Sequence, residues 1–221
     1  MGATAGPGVL FEAHIQRLQR DYAAAMDASG HDCVILASGT PGYRFEDDQA
    51  VPFRINPRYR QWVPEGDHTD SYLVIRPGEP PRLICHQPRD YWHVSPAPPT
   101  GFWADFFHIE TVISAEAAMD ALPGQRERAA WLGDFAGPPP GAAAGTINPP
   151  ALVHWLDYHR VYKTGYEVAC LEQASRIAAR AHIAARDAYR AGASEFEIHL
   201  AYQRAAGQNE QALPYGNIVA L

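Results

Sequence analysis

Asp32-Cys33-Val34-Ile35-Leu36-Ala37 decides how this chain is read. The run is apolar at consecutive positions rather than alternate ones, so a strand built from it would have no face for water. Such a strand belongs inside an α/β layer, with helices on both sides of its sheet. The residues before it supply one helix. From about Phe11 to Ala28, residues Ile15, Leu18, Tyr22, Ala25 and Met26 fall on a single stripe, and Gly30 follows as a stop signal. After it, Ser71 to Ile75 and Arg82 to His86 read as two strands. The Arg76-Pro77-Gly78-Glu79-Pro80-Pro81 link between them is turn chemistry that favours a hairpin. His108 to Ile113 adds a fourth strand, followed by a short helix from Ala115 to Leu122.

The chain then changes character. Between Gly137 and Gly145 it is Gly, Pro and Ala without periodicity, which predicts a connector. Asn148 before Pro149 reads as a helix cap opening a helix through Val153, Leu156 and Asp157. Two capping boxes follow. Thr164 with Glu167 opens a long helix striped with Val168, Leu171, Ala174, Ala178, Ala181, Ala185 and Tyr189 and closed by Gly192; Ser194 with Glu197 opens a second that Gly207 ends. The last eight residues, Pro214-Tyr215-Gly216-Asn217-Ile218-Val219-Ala220-Leu221, are a turn and an apolar, strand-like run. An unpaired apolar strand leaves backbone donors and acceptors unmet, so the expectation is a chain that continues into partner strands.

Composition narrows the function classes. The 221 residues are 47% hydrophobic with a formal net charge of −7 and no Lys/Arg run, which argues against nucleic acid as a partner. Three separated cysteines form no CxxC pair and no disulfide framework, which suits a reducing cytoplasm. No stretch of 18 apolar residues and no signal-peptide pattern is present, so no membrane span is expected. His154 and His159 are five apart, off the i, i+4 spacing that puts two imidazoles on one helix face. A phosphate-binding glycine loop and a Gly-x-Ser-x-Gly elbow are both missing.

Two segments carry candidate ligand-facing residues. Glu46-Asp47-Asp48 is an acidic cluster set among Phe45, Phe53, Arg54, Arg58, Tyr59, Arg60 and Trp62; it reads either as a solvated loop or as a lid presenting Asp48 to a ligand's amino group. Tyr91-Trp92-His93, between Asp90 and the prolines 96, 98 and 99 with Phe102 and Trp103, reads either as a stiffened surface loop or as the wall of a pocket for a small, partly apolar ligand.

Several motifs in order then resemble one family. Phe45-Glu46-Asp47-Asp48, Pro52-Phe53-Arg54-Ile55-Asn56-Pro57 and Asp90-Tyr91-Trp92-His93 look like the N-terminal domain of bacterial proline dipeptidases, with organophosphorus acid anhydrolases as close relatives. Tyr158-His159-Arg160-Val161-Tyr162-Lys163-Thr164-Gly165-Tyr166-Glu167, the Gly192-to-Ile198 cap and the final Pro214-to-Leu221 run look like the entry to a pita-bread metallopeptidase domain. The fold expected is therefore α/β: a creatinase/prolidase-type α/β/α domain with a mixed sheet over residues 1–157, then the first helices and strand of a truncated pita-bread domain over 158–221. The resemblance implies a cytoplasmic homodimer that hydrolyses Xaa-Pro dipeptides with two metal ions, usually manganese (Mn2+). It places the metal ligands beyond Leu221, so that this chain alone would be inactive and metal-free. It also implies substrate contacts at Tyr215, Asp48 and Trp92, with His93 a weaker candidate, and at Asp48 and Trp92 it has them reach the partner subunit's site. The alternatives are organophosphate hydrolysis by the complete enzyme, or a non-catalytic module for dimerisation or ligand capture.

Overall fold

A computed structural model describes residues 7–66, 68–89, 91, 96–124, 128–143 and 146–220. Between Thr164 and Gly165 the chain divides into two compact units.

In the first unit, helix α1 (Pro7–Ser29) precedes strand β1 (Cys33–Ala37) and the short helix α2 (Pro57–Trp62). Strands β2 (Tyr72–Ile75), β3 (Arg82–His86) and β4 (His108–Val112), helix α3 (Ala115–Asp120), strand β5 (Ala129–Leu132) and helix α4 (Pro150–His159) follow. The strands form one mixed sheet in the order β4-β3-β2-β1-β5. β2 joins β1 and β3 antiparallel, which is the expected hairpin, while β3 with β4 and β1 with β5 run parallel. All five residues of β1 are buried. The uniformly apolar run thus sits between two layers, as its composition requires. One face packs Cys33, Ile35, Ala37, Val74, Ile84 and Trp131 against Ala118 and Leu122 at α3. Alternation along the strands turns Val34, Leu36, Leu73 and Leu83 the other way, on the side where α1 and α2 reach β1.

α1 stops where the sequence says it should: Gly30 takes φ 75°, and the His31 amide donates to the Met26 carbonyl at 3.0 Å. Its stripe is the core of that layer, with Phe11, Ile15, Leu18, Tyr22, Ala25 and Met26 all buried. Buried among them, His14 reaches two other segments. Its Nε2 lies 2.8 Å from the Gln61 carbonyl and its Nδ1 2.8 Å from the Thr164 hydroxyl. A carbonyl only accepts, so Nε2 carries the proton; in the neutral ring Nδ1 then accepts from Thr164.

Three readings change in this unit. Residues 57–62, read as irregular, form α2, because Asn56 caps it by accepting from the Arg58 amide and Pro57 occupies its first turn. β5 is an unforeseen strand. Its Ala129-Ala130-Trp131-Leu132 sequence has no β-branched residue, and pairing with β1 on one side and an Ile147 bridge on the other make it a strand. Asn148 is not a cap. Pro149 stands before Pro150, which forces it out of the helical region to ψ 122°, so α4 starts at Pro150. Asn148 instead takes φ 46° and holds Gly133 at both ends, accepting from its amide at 3.0 Å and donating to its carbonyl at 2.8 Å.

The second unit contains α5 (Gly165–Arg190) and α6 (Glu195–Ala206). The Ser194/Glu197 box forms on both of its arms, and Gly207 ends α6 at φ 66°. Hydrogen bonds from Ser194 keep the Glu197 carboxyl below its ordinary range. The strand expected at the end of the chain does not form: residues 216–220 carry no ladder, and Ile218 is 96% exposed. A strand exists only through a neighbour's backbone, and no described segment offers one.

Gly66 should be the costliest glycine to replace by alanine. Gly66 and Gly30 share a left-handed φ, +79° and +75°, but a Cβ at Gly66 would lie 2.4 Å from Nε2 of the buried His68 ring, whereas at Gly30 nothing lies within 4 Å. Chemical denaturation should show Gly66→Ala exceeding Gly30→Ala by about 1–3 kcal/mol, the usual cost of overpacking. Equal losses would mean that the loop gives way. Thiol labelling gives a second check. Cys33 and Cys85 are buried and Cys170 is exposed, and burial pushes the Cys85 thiol up to about 11. A disulfide reagent near neutral pH should modify Cys170 alone in the native protein and all three thiols in guanidinium.

Candidate functional site

The acidic segment is an ordered projection at the end of β1. Tyr43 and Ala50 form an isolated antiparallel bridge. The Arg44 amide donates to the Gln49 carbonyl at 3.0 Å, and the Val51 amide to the Gly42 carbonyl at 2.8 Å. Within the tip, Glu46 adopts φ 55° and Asp47 turns its carboxylate inward to accept from the Gln49 amide at 3.0 Å. The three acidic residues are thereby separated in role. All three are exposed, but Asp47 spends its carboxylate on the turn, whereas Asp48 stands at the tip with Phe45, which is 91% exposed.

The root of this hairpin is tied to the sheet. The Ser38 amide donates to the Ser71 carbonyl at 2.9 Å, the Ser71 amide to the Ser38 hydroxyl at 2.9 Å, and the Asp70 amide to the Gly39 carbonyl at 2.9 Å. The Thr40 hydroxyl donates to the Asp70 carboxylate at 2.7 Å. Asp70 holds φ 50°, a region uncommon for non-glycine residues that aspartate enters more readily than most. His86, buried on β3, has its Nδ1 3.8 Å from the same carboxylate. A rigid strand end thus carries a hairpin with an aromatic ring and a carboxylate at its tip. Such a tip can meet a cationic group, and its exposed ring can bury against a second surface.

The second aromatic segment is only partly visible. Trp92 and His93 lie outside the described residues, and their neighbour Tyr91 is exposed. Downstream, Trp103 is buried and donates its indole N–H to Glu65 at 3.0 Å. With His68 and the prolines 96, 98 and 99 it lines a cleft of ≈ 400 Å3. His68 was not singled out in the sequence. Its placement depends on Gly66, two residues before it, leaving room for the ring and on Cys85 of β3 lying 3.4 Å from its Nδ1, a contact between distant segments that no spacing rule reveals.

Tyr215 belongs to the second unit. It is exposed and lines a cleft of ≈ 880 Å3 bounded by α5, α6 and residues 215–220, along with His182, Arg186, Tyr202 and Asn217. His182 and Tyr202 meet edge to face at 5.1 Å, and Asn217 lies 3.3 Å from His199 Nδ1. Asp48 and Tyr215 therefore sit in different units. Among the described residues no three His, Cys, Asp or Glu side chains stand together in a group that could hold a metal ion, so no metal chemistry is assigned to them. No helix among them is long and apolar enough to cross a membrane.

A family model described as "Xaa-Pro dipeptidase, N-terminal domain" matches residues 9–158. Xaa-Pro dipeptidase of Xanthomonas campestris is 43% identical over 216 residues, covering 96% of this chain and 48% of the relative. The protein of the same name from Stenotrophomonas maltophilia is 41% identical over 218 residues, again 48% of its length. The chain thus spans about half the length of these relatives. Among solved structures, aminopeptidase P from E. coli in its low-pH form superposes with a TM-score of 0.53 at 14% identity, over 93% of this chain and 50% of that one, a likeness of fold. With the domain model covering well over half of it, this chain belongs to the Xaa-Pro dipeptidase family, and residues 9–158 are its N-terminal domain.

Proposed function

We propose that this chain works as part of an Xaa-Pro dipeptidase, a cytoplasmic, homodimeric hydrolase of dipeptides with C-terminal proline. A pair of metal ions, Mn2+ in this reading, would activate the attacking water, and the ligands for them lie outside these 221 residues. The observation that carries the proposal is the hairpin at the end of β1, on a domain whose relatives bear that name. Its tip holds Asp48 exposed while Asp47 is spent on the turn. A carboxylate on a rigid projection suits capture of the free α-amino group that every dipeptide substrate presents. Phe45 and the segment of Trp92 and His93 would line the approach, the hairpin entering the partner subunit's site, and Tyr215 would wall the same pocket from the catalytic side.

The chemistry divides accordingly. This chain's residues bind and orient: Asp48 holds an ammonium, and the aromatic residues exclude water around an apolar side chain and a proline ring. A charge-assisted hydrogen bond of this kind is worth roughly 1.5–3 kcal/mol, about 10- to 150-fold in transition-state binding.

In the full-length enzyme, Asp48→Ala should lower kcat/KM for an Xaa-Pro dipeptide by about tenfold or more with the melting temperature unchanged. A change within about twofold would show that Asp48 does not hold the substrate. The 221-residue chain by itself should bind no stoichiometric Mn2+ and cleave no dipeptide; two tightly bound ions per chain would overturn the division of labour. Sequencing the gene past codon 221 separates this reading from a non-catalytic module. An open frame encoding Asp, His and Glu ligands supports the peptidase, and an immediate stop codon refutes it.

A further inference from the structure

β1 and β5 run parallel and side by side, so their carboxyl ends deliver two loops to one edge of the sheet. Ligand crevices in open α/β sheets form at such ends, where the chains leaving adjacent parallel strands separate. Here the two exits, Ser38-Gly39 and Gly133-Asp134, line a cleft of ≈ 420 Å3 together with Arg54 and Arg58. That volume is at the lower end of the ~300–1,000 Å3 typical of small-molecule sites.

The cleft is preformed by two asparagines. Asn56 donates from its side chain to the Ala37 carbonyl at 3.0 Å and from its backbone to the Ser38 carbonyl at 2.8 Å, fixing the end of β1. Asn148 fixes the end of β5 through its paired hydrogen bonds with Gly133. Ser38 and Leu132 form a buried floor. The glycines let the two strand exits pack closely against their neighbours. At Gly39, with φ +113°, a Cβ would lie 3.1 Å from the Phe53 ring. At Gly133 it would lie 3.0 Å from the Ala37 methyl group.

The charges are arranged in two signs. Arg58 is only 15% exposed, donates to Asp157 at 2.6 Å and also interacts with the buried Tyr22, contacts that orient its guanidinium without using its full set of five donors. Arg54 adds a second guanidinium, and Asp134 places a carboxylate on the opposite strand exit. A cleft this small with guanidinium groups on one strand's loop and a carboxylate on the other's matches a molecule carrying both charges. We propose that the crevice at the ends of β1 and β5 binds a free α-amino acid, its carboxylate on Arg54 and Arg58 and its ammonium on Asp134. The site is separate from the Asp48 tip and does not depend on the peptidase reading.

Amide NMR of the protein, titrated with L-alanine and with propionate, tests it. Propionate is the same carboxylate without the ammonium. The expected result is a saturable shift of the Gly39 and Gly133 amides with L-alanine, with propionate at least about tenfold weaker, the worth of one charge-assisted contact. Arg54→Gln should weaken both ligands, and Asp134→Asn should bring L-alanine down to the level of propionate. Absence of saturable shifts, unchanged binding in Arg54→Gln, or equal affinity for the two ligands in the unmodified protein would each overturn the assignment. These signals report binding within the first unit, so loss of peptidase activity in any variant neither supports nor refutes it.

Discussion

Everything placed in the first unit hangs on the backbone pairing of β1. Cys33 to Ala37 satisfy their amides and carbonyls against β2 on one side and β5 on the other. Without that pairing, five consecutive apolar residues would have to bury peptide groups with no partners, at roughly 1–3 kcal/mol for each unmet group. With it, the same residues pack both layers of the domain. The strand end then becomes a fixed point. The hairpin bearing Asp48 and one wall of the Arg54/Arg58/Asp134 cleft both depart from Ser38 and Gly39.

The root of that hairpin shows how rigidity is built without a helix or a long sheet. Ser38, Ser71, Thr40 and Asp70 exchange hydrogen bonds across two strand ends, and Asp70 is held there in a left-handed conformation. At its buried end, Ser38 and Ser71, such a network specifies one arrangement, because any other leaves members unpaired. The hairpin that carries Asp48 leaves the sheet from this network. Above that root the hairpin is closed by the Tyr43–Ala50 bridge and two backbone hydrogen bonds.

Much of the architecture was legible because its signals are local. Consecutive apolar residues gave β1, a 3.6-residue stripe gave α1, and Ser194 with Glu197 gave the start of α6, each confirmed by burial or by the capping geometry. The failures share a cause. Asn-Pro occurs at 56–57 and at 148–149, but the first opens a helix while the second cannot, since Pro150 forces Pro149 into an extended conformation. β5 has a sequence that fits several structures and becomes a strand through pairing with β1. The 214–221 run has a strand's composition but no described partner, and so carries no ladder.

The sequence by itself determined the layer type, the hairpin of β2 and β3, the helix boundaries marked by glycine and serine, and the family, because periodicity, capping and ordered motifs are properties of neighbouring residues. Only the tertiary structure decided that Asp47, and not Asp48, spends its carboxylate on closing a turn. It alone placed His68 against Gly66 and Cys85, and Arg54, Arg58 and Asp134 around one cleft. Arg54 and Asp134 stand far apart in the chain, and they meet because β1 and β5 are parallel neighbours whose carboxyl ends share one edge of the sheet. That adjacency is a fact of strand order, which no local pattern encodes.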